Sequence, residues 1–92
     1  MANQNKNVKY GDGFADITLS RDFDLGGTKI KVMRMREPTV KDQRTAFKSS
    51  EDMGEREAAM FQNLCEIAPT DLDRLPMKDY ARLQAAYEGF FD

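Results

Sequence analysis

From Asp16 onward apolar and polar residues alternate. Ile17, Leu19, Phe23 and Leu25 share one parity, interrupted only by Arg21, while Asp16, Thr18, Ser20, Asp22 and Asp24 share the other. A period of two marks a half-buried strand. Gly26-Gly27 follows, a pair that accepts the positive φ of a tight turn at no steric cost, and Thr28 to Arg36 (TKIKVMRMR) resumes as a second strand. The two make a β-hairpin. In the second strand Ile30 and Val32 lie on one face and Met33 and Met35 on the other, so the apolar parity flips between Val32 and Met33. A flip of this kind requires a bulge or a sheet covered on both faces.

Beyond the hairpin the period changes. Pro38 cannot donate to a ladder and biases Glu37 toward extended geometry, which closes the strand. Thr39 with Asp42 three residues on reads as a helix cap, predicting a short helix from about Val40 to Lys48. Residues 49–54 (SSEDMG) interrupt it, and Asp52 with Glu55 repeats the capping spacing before a longer helix ending near Ala68. Its apolar members, Ala58, Phe61, Leu64, Cys65 and Ala68, recur at three and four as one stripe. Pro69 ends that helix, and Thr70 with Asp73 marks a single capped turn carrying Leu72 and Leu75. Pro76 then opens a last helix in which Met77, Tyr80, Leu83, Tyr87 and Phe90 form the apolar face. The expected class is α+β: an N-terminal β-hairpin followed by two to three α-helices packed on one of its faces.

The first 13 residues, with three Asn, a Gln and two Lys, hold only Val8 and Tyr10 as large apolar groups. They are expected to be a disordered polar arm, leaving residues 14–92 as a single domain. At 92 residues, 40% of them apolar, the chain supports one thin core. Ordering costs roughly 1.5 kcal/mol per residue, so a small core benefits from oligomerisation or a partner, and a homo-oligomer is one expectation.

Composition removes most chemistries. There is no His, and the single Cys, Cys65, can form neither an internal disulfide nor a Cys/His metal site. Zinc-finger, Cys-His and Ser-His-Asp readings end there. Cys65 sits within the apolar stripe, where a buried thiol is inert. Glu37 and Asp42 flank a strand-to-helix corner, and their local role is to fix its geometry together with Arg36. No catalytic, cofactor-binding or metal-ligating residue is predicted. No stretch approaches the ~20 apolar residues that span a bilayer, so a soluble, cytoplasmic chain without membrane contact is expected. The 14 Lys and Arg against 16 Asp and Glu give a net charge of −2, which argues against nucleic acid. The charge is unevenly placed: residues 1–36 hold seven bases and four acids (+3), residues 37–92 seven bases and twelve acids (−5).

Two features remain as candidate surfaces. Strand 29–36 followed by two helices imitates a ribbon-helix-helix DNA-binding unit, but Lys29 and Lys31 have one parity and Arg34 and Arg36 the other, and the Gly-Gly turn pairs this strand within its own chain. The second feature is the methionine and aromatic surplus. These groups serve as the core of a small domain or as an adaptable binding surface, and not all fit inside so short a chain. Met33, Met35, Tyr87, Phe90 and Phe91 are the candidate partner contacts.

The succession Ile17-Thr18-Leu19-Ser20, a Gly turn, a basic strand running into Arg36-Glu37-Pro38-Thr39, Asp42, Pro69, and then Leu72, Leu75, Asp79, Leu83 and Phe90-Phe91 resembles the small tail assembly chaperones of Mu-like, contractile-tailed bacteriophages and prophages. The likeness runs from Ile17 to Phe91. It implies a non-enzymatic protein of the host bacterial cytoplasm that binds the tape-measure protein, keeps it soluble and helps bring tail-tube subunits to it. It further implies a longer form of the chain made by ribosomal frameshifting. It does not account for the polar arm.

Overall fold

In the computed structural model, which describes residues 5–92, the expected hairpin is part of a three-stranded antiparallel sheet. Its strands are β1 (Val8–Gly11), β2 (Phe14–Leu25) and β3 (Thr28–Arg36), side by side in that order. The polar arm expected over residues 1–13 is therefore corrected from Val8 onward; residues 1–4 lie outside the described residues. Val8 pairs with Ile17 and Gly11 with Phe14 across a two-residue turn, Asp12-Gly13, in which Gly13 takes φ +86°. Pairing with an existing strand satisfies the backbone that so polar a segment cannot satisfy by burial. The Gly26-Gly27 turn behaves as expected, with φ of 59° and 91° and the Gly27 N–H donating to Asp24 Oδ1 at 2.9 Å.

One face of the sheet is dry. Ala15, Ile17, Leu19 and Phe23 of β2 and Met33 and Met35 of β3 are all buried there. The parity flip in β3 has its cause in β2, whose register shifts between Thr18 and Phe23: Thr18 pairs with Val32, but Phe23 pairs with Ile30. The inserted residues release ladder groups of β2, and side chains from the last helix take them up.

Four helices follow: α1 (Val40–Ser49), α2 (Met53–Cys65), α3 (Pro69–Arg74) and α4 (Met77–Gly89). α4 lies over β2 and α2 over β3, while α1 packs mainly on α2. The Thr39/Asp42 capping box forms as the spacing predicts, and Asp52 accepts from the Glu55 N–H to start α2. α2 ends at Cys65, three residues before the expected Ala68, because Glu66 turns left-handed (φ 53°) and Ile67 is thereby swung into the core. Pro69 does not end α2; it occupies the first turn of α3, where its missing N–H costs nothing, and Thr70 does not cap that helix. Met77 is also corrected. It lies 120° round the helix from Leu83 and is exposed, whereas Asp79, Leu83 and Ala86 form the buried line of α4.

Candidate functional site

Two buried carboxylates fix the frame on which the candidate surface is carried. At the β3–α1 corner, Arg36 donates to both oxygens of Asp42 at 2.8 and 3.1 Å, and Asp42 also accepts from the Thr39 N–H (2.8 Å), the Thr39 hydroxyl (3.1 Å) and Asn63 Nδ2 (2.9 Å). The carboxylate is buried, and the Arg36 guanidinium with the Thr39 donors holds its pKa well below the ordinary range. Every lone pair it offers is used by its own chain, so it is a structural anion. At the opposite end, buried Asp79 accepts from the N–H and hydroxyl of Ser20 inside the β2 irregularity, and Arg82 one turn on donates to the Thr18 carbonyl at 2.7 Å. α4 thus supplies the partners that the bulge removed from the ladder.

Between these anchors lies an apolar surface built by α1, α2 and the end of α4. Ala46 and Asp42 turn α1 inward, which leaves Val40 (73% exposed) and Phe47 (52%) on its outer side. Met53 (77%) projects from the first turn of α2. A groove of about 400 Å³ runs between the two helices, lined by Gln43, Ala46, Phe47, Met53, Met60, Phe61 and Tyr87 among others. A second hollow of about 170 Å³, lined by Pro38, Val40, Gln43, Tyr87 and Phe91, shares Gln43 and Tyr87 with it, so the apolar surface is continuous to the last residues. Arg56 stacks on the Phe47 ring at 4.4 Å and donates to the Ser50 carbonyl, holding the groove's far end. Aromatic contacts hold the near end: Phe61 meets Tyr80 and Tyr87, Tyr87 meets Phe91 at 5.2 Å, and Phe90 meets Tyr10 at 5.2 Å. Beneath them Glu57 accepts from the Tyr80 hydroxyl and Gln84 Nε2, and burial, with that carboxylate beside it, pushes the Tyr80 phenol up.

The structure divides the five residues named from the sequence. Met33 and Met35 are buried beneath α2 and offer no surface, because the β2 bulge puts their parity on the dry face. Tyr87 is half-buried and lines both hollows, Phe90 is half-buried against Tyr10, and Phe91 is 67% exposed. Val40, Phe47 and Met53 were missed. Their legible sign was an apolar residue off the buried line of its own helix. Cys65 is half-buried, with its thiol pushed up to about 12 by burial.

The strand 29–36 offers the nucleic-acid alternative no support. β3 pairs with β2 of its own chain, Arg34 donates to both oxygens of Asp16 at 2.8 and 3.0 Å, Arg36 is taken by Asp42, and Lys31 lies 3.9 Å from Asp22. Among the described residues no group of three or more Cys, Asp or Glu side chains is arranged to hold a metal, and no helix is long and apolar enough to cross a membrane.

No curated protein and no solved structure matches the chain. The sequence profile of the family described as "Phage tail assembly chaperone proteins, E, or 41 or 14" matches residues 16–92, from the third residue of β2 to the last residue. An α+β frame whose two buried carboxylates, Asp42 and Asp79, are satisfied internally, with an apolar surface left outside, is the fold this match covers, and the chain belongs to the phage tail assembly chaperones.

Proposed function

We propose that this chaperone acts by stoichiometric, non-catalytic binding of the phage tape-measure protein in the bacterial cytoplasm, keeping it soluble until tail-tube subunits assemble on it. The observation that carries the reading is the uncovered apolar surface running from Met53 and Phe47 through Tyr87 to Val40 and Phe91. So much exposed methionine and aromatic surface on so small a domain is suited to covering another protein's apolar segment reversibly. The tail-tube protein and a frameshifted longer form of the chain are further partners on the same reading.

Co-expression with the tape-measure protein tests it. Soluble yield of that protein is expected to rise in the presence of this chain, with the two co-purifying, and to fall when Phe47 and Met53 are replaced by Ser. Equal yields with and without the chain, and no complex, would remove the reading.

A further inference from the structure

Resting on the reading of the α1/α2 groove as the partner-binding surface, we propose that its occupant is an amphipathic α-helix with a footprint of about two turns, whose apolar face is bordered by acidic residues on the flank that meets α1. Both walls of the groove are helices, whose backbone hydrogen bonds are internal, so an entering strand finds no ladder to join. A backbone settling on apolar surface must then satisfy itself, which a helix does. The walls set the length: on α1 Gln43 and Phe47 line the groove and Val40 carries the same i, i+3, i+7 line on into the adjoining hollow, while Met53, Glu57 and Met60 lie at i, i+4, i+7 on α2, each line about 10 Å long.

The charge of the occupant follows from the next line of α1. Lys41, Arg44 and Lys48 repeat the i, i+3, i+7 spacing one residue further round, so they border the apolar line on its solvent side. All three are exposed, and none takes part in an ion pair among the described residues. The acid on α1, Asp42, is turned inward and neutralised by Arg36. An acidic flank on the incoming helix would meet this basic bank, whereas a second copy of this chain offering its own α1 would bring like charges together.

The probe is a designed amphipathic peptide of about 18 residues, long enough to be helix-competent, made with Leu and Phe anchors at i, i+4, i+7 and with either Glu or Lys along one flank. Against the full chain at low salt, the Glu-flanked isomer is expected to bind about tenfold more tightly than the Lys-flanked one, as three exposed ion pairs would give, with the difference shrinking in high salt. The triple variant K41E/R44E/K48E reverses the preference, and the neutral K41Q/R44Q/K48Q abolishes it, with the circular dichroism of the free proteins unchanged. Equal binding of the two isomers, an unchanged preference in both variants, or undiminished binding of a Glu-flanked peptide with Ser anchors would overturn the proposal. So would self-association in the ultracentrifuge that Phe47→Ser abolishes, which would assign the groove to a second copy. Tape-measure capture by the triple variant at wild-type level would remove the acidic flank and leave the proposed function standing. Failure of the wild-type chain to capture that protein at all would remove both.

Discussion

Asp79 on α4 receives two hydrogen bonds from Ser20 on β2, from its N–H at 2.8 Å and its hydroxyl at 2.9 Å, across 59 residues of chain. The pair joins the last helix to the one irregular point of the central strand. Replacing Asp79 with Ala removes a charged acceptor from a dry site and leaves the bulge N–H unbonded, so stability is expected to fall by about 2–3 kcal/mol. Ser20→Ala, which keeps the backbone bond, is expected to cost about 1 kcal/mol. Urea denaturation of the two single variants and the double variant checks this. Additive losses would mean that the residues do not act as a pair.

The Arg36–Asp42 corner makes the fold acid-sensitive in a stated direction. Because the Asp42 carboxyl is held below its ordinary pKa in the folded chain, its contribution is fully present above about pH 4 and is lost as pH falls through the folded value. Asp42→Asn is expected to lower Tm at neutral pH, through a lost charged acceptor and a weakened cap, and to flatten the fall in Tm below pH 4. Thermal melts of both proteins between pH 7 and pH 2 measure the two effects separately. Parallel curves would show that Asp42 is not the titrating group.

Tyr10 and Gly89 are coupled by space. The Tyr10 hydroxyl donates to the Ala86 carbonyl at 2.8 Å, and a Cβ placed on Gly89 would overlap the phenol ring. Gly89→Ala therefore dislodges Tyr10 and destabilises the protein, although Ala is by itself the better helix former by about 1 kcal/mol. In a Tyr10→Ala background the same substitution is expected to stabilise. A sign that does not change between the two backgrounds in chemical denaturation would rule the contact out.

Methionine and aromatic substitutions separate core from surface. Met53→Ser, at an exposed position, is expected to shift stability by no more than about 0.5 kcal/mol and Phe47→Ser, which also loses the Arg56 stacking, by about 1 kcal/mol, both while reducing partner capture. Met35→Ser, at a fully buried position, is expected to cost at least about 2 kcal/mol and to lower capture only through loss of folded protein. Calorimetry combined with pull-down from the co-expression lysate distinguishes the two patterns.

Cys65 offers a probe of the same packing. With its thiol pushed up to about 12 by burial, alkylation at pH 8 is expected to be many times slower in the native chain than in denaturant. A native rate close to the denatured one would place the C-terminal end of α2 in solvent.

Much of the frame was legible along the chain. The β2/β3 hairpin, its Gly-Gly turn and the Thr39/Asp42 cap are local features, each set by residues within a few positions of one another. β1 was hidden although Asp12-Gly13 between Val8 and Phe14 is a hairpin dipeptide, because the polar composition around it outweighed two residues of turn chemistry. The end of α2 was missed for a related reason: a left-handed Glu66 lacks the glycine that ordinarily announces it.

What the sequence by itself determined was the α+β order, the absence of His and of paired Cys, and the excess of apolar side chains over available interior. Only the tertiary structure decided which of those side chains remained outside. Met33 and Met35 are interior because a bulge in the adjacent strand moves their parity onto the dry face, and Phe47 and Met53 are exterior because α1 rests on α2 and leaves a groove between them, with Val40 beside the adjoining hollow that Tyr87 and Phe91 line. Periodicity ranks the faces of one element against each other; whether a face is covered depends on the elements that pack across from it, which lie far away in sequence.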